Sequence, residues 1–273
     1  MDSMLLRLSL VICVLGLGTL APSRASAEAA DHDWHVAATI YGWFPDIGGE
    51  TNFPADPGND INVDISTILD HLKMTAQGSF EVRKGSWGVF TDVVYLDVGE
   101  AKSQTRNLEI NGQPLPAAIT ADLDFDLKSV FWTLAGTYRV AETPDASMDV
   151  LLGVRLASMQ QTLDWEFAGT FVGATPPPLT GTRESKVDQW DGVFGIRGRL
   201  AFGAEHKWIV PYYFDIGAGD SDMTWQGMLG LAYAFNWGDV GVAWRYLDYD
   251  LKSGEAIADM NFNGPALGAT FRW

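Results

Sequence analysis

Ten stretches of this chain alternate apolar with small or polar residues, and the links between them alternate short with long. The stretches are 34–45, 72–84, 86–99, 121–140, 147–163, 186–202, 207–217, 222–236, 239–251 and 258–273. A period of two is the signature of a strand with one apolar and one wet face. The short links are Lys84-Gly85-Ser86, Ala141–Ala146 with Pro144-Asp145, Phe202–His206 and Asn236-Trp237-Gly238-Asp239, all carrying turn residues. The long links are 46–71, 100–120 and 164–185, with 218–221 and 252–257 shorter on the same side. An even number of strands with all short links at one end is the parity of an up-and-down barrel. The expected fold is therefore all-β: a single antiparallel, up-and-down transmembrane β-barrel of about ten strands, with eight or twelve as alternatives. A soluble β-sandwich is the rival.

The faces can be assigned strand by strand. Trp225, Leu229, Leu231, Tyr233 and Phe235 share a face opposite Thr224, Gln226 and Gly230. Val150, Leu152, Val154 and Leu156 oppose Asp149, Gly153 and Arg155, and Val240, Val242, Trp244 and Tyr246 oppose Gly241, Ala243 and Arg245. In a barrel the apolar face meets lipid and the charged face lines the lumen. The expected lumen charge network comprises Glu81, Arg83, Asp92, Arg155, Asp191, Arg197, Arg199, Asp215 and Arg245, with Arg139, Asp149 and Arg272. Mixed signs in a ring just larger than side chains can fill should pair and staple the interior. Tyr41, Trp43, Phe90 and Leu96 form a candidate apolar patch in the lumen. Segment 121–140 changes phase between Leu127 and Val130, which a bulge near Lys128-Ser129 would reconcile.

The two ends carry signals. Residues 1–27 read as a cleaved signal peptide: Arg7, an apolar run from Leu8 to Leu20, then Ala25-Ser26-Ala27. The remaining 28–273 are expected to form one barrel domain. The single cysteine, Cys13, lies in the leader, so no disulfide framework, thiol nucleophile or Cys-ligated metal is expected beyond it. With 18 basic and 35 acidic residues the formal net charge is −17, which argues against nucleic acid as a partner. Eleven tryptophans supply material for two interfacial belts.

Trp34–Gly49 with Tyr41-Gly42-Trp43 and Pro45, Gly78–Gly99 with Arg83-Lys84-Gly85 and Phe90-Thr91-Asp92, and Trp244–Tyr249 resemble small proteobacterial outer-membrane β-barrels of the OmpA/OmpW type, in an uncharacterised subfamily. Gly268, Phe271 and Trp273 resemble that family's C-terminal assembly signal, with Ala266 at the position usually polar. The resemblance implies residence in the outer membrane, with lipids, lipopolysaccharide and the barrel-assembly machinery as partners. It implies no cofactor and no metal. The expected role is structural or surface-exposed, with a closed or narrow lumen. The alternatives are a narrow channel for small or hydrophobic solutes and, more distantly, an outer-membrane lipid hydrolase.

Hydrolases of that kind need a serine activated by a histidine. Of His32, His35, His71 and His206, only His71 is expected at the outer end, near Ser66 and Ser79, at no diagnostic spacing. The Asp-rich run 56–64 offers oxygen ligands at alternate positions, but Ile65 and His71 stand where an EF-hand needs glycine and glutamate. It reads as a hydrated loop. Ile65, Ile68, Leu69 and Leu72 have helical spacing after a possible cap at Asp64, against an extension of strand two. Thr175–Leu179 is stiff, proline-rich chain.

Overall fold

The computed structural model describes residues 33–51, 59–63, 72–104, 109–110, 113–114, 119–169, 179–252 and 257–273. In chain order the strands are β1 (Trp34–Trp43), β2 (Asp46–Thr51), β3 (Asn59–Val63), β4 (Leu72–Lys84), β5 (Trp87–Gln104), β6 (Glu109–Ile110) and β7 (Gln113–Pro114). They continue as β8 (Ile119–Glu142), β9 (Ala146–Gly169), β10 (Leu179–Phe202), β11 (Trp208–Gly219), β12 (Met223–Phe235), β13 (Gly238–Asp250) and β14 (Ile257–Arg272). No α-helix occurs among the described residues; a single 3-10 turn, Ala204–His206, joins β10 to β11.

The ring is a closed antiparallel barrel of ten strands. Going round, β1 pairs with β4, then β5, β8, β9, β10, β11, β12, β13 and β14 follow, and β14 returns to β1. The closing ladder sets Ala37 against Arg272 and Trp43 against Ala266, and Trp273 exchanges both backbone hydrogen bonds with Val36 at 3.0 Å. Where β1, β4–β5 and β8–β14 form the ring, closure leaves no edge strand among the described residues, and hydrocarbon would penalise each unpaired backbone group by several kcal/mol. β2 continues β1 beyond Phe44-Pro45, stays on β14 and leaves β4 to pair with β3.

The period of two in the sequence becomes two surfaces. Phe194, Phe214, Leu229, Leu231, Val242 and Leu267 are exposed on the outer wall. Asp92, Asp149, Arg155, Asp215 and Arg245 are buried inside it. At the short-turn end, Trp87 packs on Tyr138, Trp208 on Tyr233, and Trp237 on both Phe235 and Phe271. Higher on the wall, six residues above Tyr138 on β8 and eight above Tyr233 on β12, Trp132 meets Trp190 and Trp225 stacks on Tyr246. These two aromatic belts bracket the apolar band, the arrangement an interfacial girdle requires. Above the upper belt the outer wall turns polar: Lys186 pairs with Asp188, and Tyr246 donates to Asp248.

Three expectations are corrected. The links 46–71, 100–120 and 164–185 are not simply loops. β2, β3, β6 and β7 lie in the first two, and β5, β8, β9 and β10 extend far into the second and third. β8, β9 and β10 each run 24 residues, roughly 60 Å along the axis at a tilt of about 40°. The wall thus stands well proud of an apolar band of about 25 Å. Polar residues pair there because neighbouring strands supply the ladder, so polarity alone did not mark an end of strand. Second, no bulge interrupts Lys128-Ser129: the β8–β9 register is continuous from Ile119 to Arg139. The irregularities fall between Val98 and Ala101 on β5 and between Arg139 and Ala141 on β8. Ser129 and Phe131 both face inward, so the change of phase marks where the lumen itself becomes apolar. Third, half of the Asp-rich run is strand, Asn59–Val63, paired with β2. Leu72 opens β4. The leader 1–27, His71, Asp56 and the helical spacing at 64–71 lie outside the described residues, as do 175–178.

Leu229 is 62% exposed on the outer wall, midway between Tyr233 and Trp225. Leu229→Arg is expected to cost about 2–4 kcal/mol in urea unfolding from liposomes. A near-neutral result would overturn the face assignment.

Candidate functional site

The interior is built in two layers. Around mid-barrel stand two Arg–Asp–Tyr triads, one crossing the lumen and one gathered on strands β9 and β11 of a single wall. In the first, Arg245 on β13 donates through Nη2 to Asp92 Oδ2 on β5 (2.8 Å) and to Gln226 Oε1 (2.9 Å). Its Nη1 donates to Tyr41 Oη (2.7 Å), and Tyr41 donates on to Asp92 Oδ1 (2.6 Å). In the second, Arg155 on β9 pairs with Asp215 on β11, which also accepts from Tyr213. Arg155 Nε donates to Thr133 (3.2 Å) and Nη1 to Thr224 (3.5 Å). Thr224 and Gln226 lie two apart on one face of β12 and so tie the triads together.

Arg155 is 1% exposed and Asp215 fully buried. Stripping both ions of water costs several kcal/mol each, offset only by close pairing and further hydrogen bonds. The hydroxyls of Tyr213, Thr133 and Thr224 supply them. Burial also shields the pair from salt.

The layer toward the short-turn end is polar. Arg197 on β10 reaches Glu81 on β4 at 2.7 Å, and its guanidinium lies 4.1 Å from the Phe90 ring centre. Arg139 pairs with Asp149 and, at 2.8 Å, with Glu142. Arg272 pairs with Asp239. Arg83 donates to the Gly85 carbonyl (2.9 Å) and lies 3.7 Å from Glu142.

The layer toward the long-loop end is apolar. Trp43, Leu96, Phe131, Met159, Leu247, Tyr249 and Phe262 form one buried cluster. Phe131 on β8 stacks on Tyr249 of β13 at 6.0 Å and meets Phe262 of β14 edge-on at 4.8 Å. β8 and β13 stand five strands apart in a ten-strand ring, so this contact spans the full bore. Trp43 is set by a local device. Where β1 leaves β4, the Gln77 side chain takes over the ladder: Trp43 N donates to Gln77 Oε1 (2.6 Å), and Gln77 Nε2 donates to Trp43 O (3.1 Å). The indole N–H reaches the Gly264 carbonyl at 3.2 Å.

The expected charge set is thus partly assembled. Glu81 meets Arg197, Asp92 meets Arg245, and Arg155 meets Asp215. Asp191 meets no arginine; its Oδ1 accepts from the backbone and hydroxyl of Ser221, at 3.0 and 2.7 Å, and braces the β11–β12 connection. Arg199 faces the same space with Arg272, Asp239, Arg139 and Glu142 as charged neighbours. It forms none of the ion pairs among the described residues. The expected patch is divided: Trp43 and Leu96 join the outer cluster, whereas Phe90 packs with Tyr213 in a smaller inner one. Sequence reasoning missed the hydroxyls of Tyr41, Tyr213 and Thr224 as partners of the charges. Their inward phase on β1, β11 and β12 was the available signal. His206 sits in the turn and pairs with Asp145 at 2.6 Å; His35 lines the cavity at the short-turn end.

No protein-family model matches the chain, and no curated protein matches it in sequence. Among solved structures it is similar to the outer-membrane protease OmpT of Escherichia coli, at 10% identity and a TM-score of 0.50, covering 89% of this chain and 97% of that one. Lower likenesses are to Ail, the attachment invasion locus protein of Yersinia pestis (12% identity, TM-score 0.31, 88% and 98% covered), and to the Pseudomonas putida toluene transporter TodX (7%, 0.28, 88% and 89%). At these identities the likeness is one of fold: the chain has the fold of the outer-membrane β-barrels. It does not carry over a protease's, an adhesin's or a transporter's activity.

Arg155→Met, which leaves Asp215 buried and unpaired, is expected to destabilise the barrel by about 3–5 kcal/mol. Asp215→Leu combined with Arg155→Met should recover part of that loss. Equal unfolding midpoints for wild type and Arg155→Met would show that the pair does not hold the interior.

Proposed function

We propose that this chain is an outer-membrane β-barrel with a closed lumen, whose role is structural or surface-exposed. The observation that carries this reading is the contact of Phe131 with Tyr249 across the whole bore. Around it, Trp43, Phe262, Leu247 and Met159 complete an apolar seal. Below the seal, Arg245–Asp92 and Arg197–Glu81 each bridge strands four places apart in the ring. An ion travelling along the axis would have to displace both layers.

With the short turns periplasmic, as in barrels of this kind, the seal lies toward the cell exterior. The long strands β8, β9 and β10 then rise as a polar collar above the membrane. Such a barrel acts through that collar and its loops, in adhesion or in the integrity of a lipopolysaccharide surface. The leader 1–27 serves export and is removed. Gly268, Phe271 and Trp273 present the last strand to the assembly machinery. A small OmpA/OmpW-like relationship fits the inward aromatic patch, though ten strands exceed that group's usual eight.

The second reading is a narrow conduit for small or hydrophobic solutes. It draws on the cavity at the short-turn end, which enters the barrel as far as Tyr41 and Asp92 before meeting the seal. Lipid hydrolysis would rest on His71, outside the described residues.

Refolded protein in planar bilayers is expected to be silent while running as a folded, heat-modifiable species on gels. Phe131→Ala with Phe262→Ala, combined with Arg245→Gln and Arg197→Gln to release the polar layer, should produce discrete conductance steps, since both constrictions are then widened. Reproducible steps from the wild type would replace the closed-barrel reading with the conduit.

A further inference from the structure

Six of the chain's eleven arginines line a single cavity at the short-turn end of the barrel. Its volume is about 450 Å³, within the range of small-molecule sites. Five carboxylates share the lining, and all five are taken up by the ion pairs described above. Arg199 is the surplus cation. It has Arg139 and Arg272 as like-charged neighbours, and none of the ion pairs among the described residues includes it. Arg197, two residues along the same face of β10, is held by Glu81 and the Phe90 ring, which leaves Arg199 as the cation open to the cavity. Arg199 is exposed at the short-turn end, so its guanidinium is open to a ligand that enters the cavity there.

The wall beside these arginines is apolar. Ile209 and Pro211 on β11, and Met228 and Ala232 on β12, face the same space. Pro211 brings no N–H to it, and the β11–β12 pairing is interrupted at Val210-Pro211. Solvent enters past His35 and Glu142, which are exposed at the end of the barrel.

We propose that this cavity binds a small carboxylate with an apolar body, admitted from the short-turn end. Arg199 takes the carboxylate as a planar, charge-assisted fork. The apolar body lies against Ile209, Pro211 and Met228. One surplus charge selects a monoanion, and the greasy wall selects an aromatic or short aliphatic acid over a bare inorganic anion. This goes beyond the closed-barrel reading: the site lies below the seal and would exist whether or not ions can cross it.

The test is isothermal titration of the full barrel, refolded into phosphatidylcholine nanodiscs, with benzoate, benzyl alcohol and acetate. Benzoate is expected to bind, with benzyl alcohol and acetate each at least tenfold weaker. Arg199→Gln should weaken benzoate at least tenfold while leaving the melting temperature unchanged, because Arg199 belongs to none of the ion pairs among the described residues. Met228→Asp should weaken benzoate as well, from the apolar side. Absence of benzoate binding, or an undiminished affinity in Arg199→Gln, overturns the proposal. Acetate binding as tightly as benzoate overturns the apolar half of it, and benzyl alcohol binding equally well overturns the anionic half.

Discussion

The ladder between the first strand and the last, Ala37–Trp43 against Ala266–Arg272, is the constraint on which the rest depends. Once β14 closes on β1, every wall residue is committed to one of two environments, and the period of two along each strand decides which. A slip of one residue anywhere in the ring would put Asp215 or Arg245 on the apolar outer wall and Leu229 or Val242 in the lumen. The penalty is greatest for the charges, so the inward arginines and aspartates hold the register as firmly as the hydrogen bonds do. The small residues opposite the apolar face have a related part. At Gly153 and Gly195 an added Cβ would come within 2.2 Å of a neighbouring carbonyl, so the close approach of adjacent strands excludes a side chain there.

Closure also creates the problem that the interior solves. A ten-strand bore is too wide for alanine and valine to fill and too narrow for free water to solvate an ion well. The chain bridges it with its longest side chains. Arginine spans from one wall to a carboxylate on another, and the hydroxyls of Tyr41 and Tyr213 donate to the same carboxylates. Phenylalanine and tryptophan close the outer half by contact alone. The layers are complementary: the polar one fixes which strands face one another, and the apolar one excludes water from above it. The cavity at the short-turn end is what remains where neither arginine nor aromatic reaches across.

How much of this could be read beforehand is clearest strand by strand. The outward sets Val150-Leu152-Val154 and Leu229-Leu231-Tyr233 were legible, because alternation is a local property and the barrel preserves it. Glu81, Asp92, Arg155, Asp215 and Arg245 were legible as inward residues for the same reason. Which of them meet was not legible. Arg245 and Asp92 are 153 residues apart, and only the order of strands around the ring and their stagger bring them together. Asp191 stands directly opposite Arg155 in the β9–β10 ladder, yet it accepts from Ser221 while Arg155 turns to Asp215 on β11.

The sequence by itself determined the all-β character, the ten alternating segments, the parity that sets all short turns at one end, and the side of the wall that residues occupy wherever the alternation is unbroken. These follow from steric and hydrophobic preferences that act between near neighbours in the chain. The tertiary structure decided the rest: the extension of three strands to 24 residues, the pairing of Arg155 with Asp215, and the meeting of Phe131 with Tyr249 across the bore. Each depends on the curvature and stagger of a closed ring, which fix the distance between walls. No local pattern of residues encodes that distance.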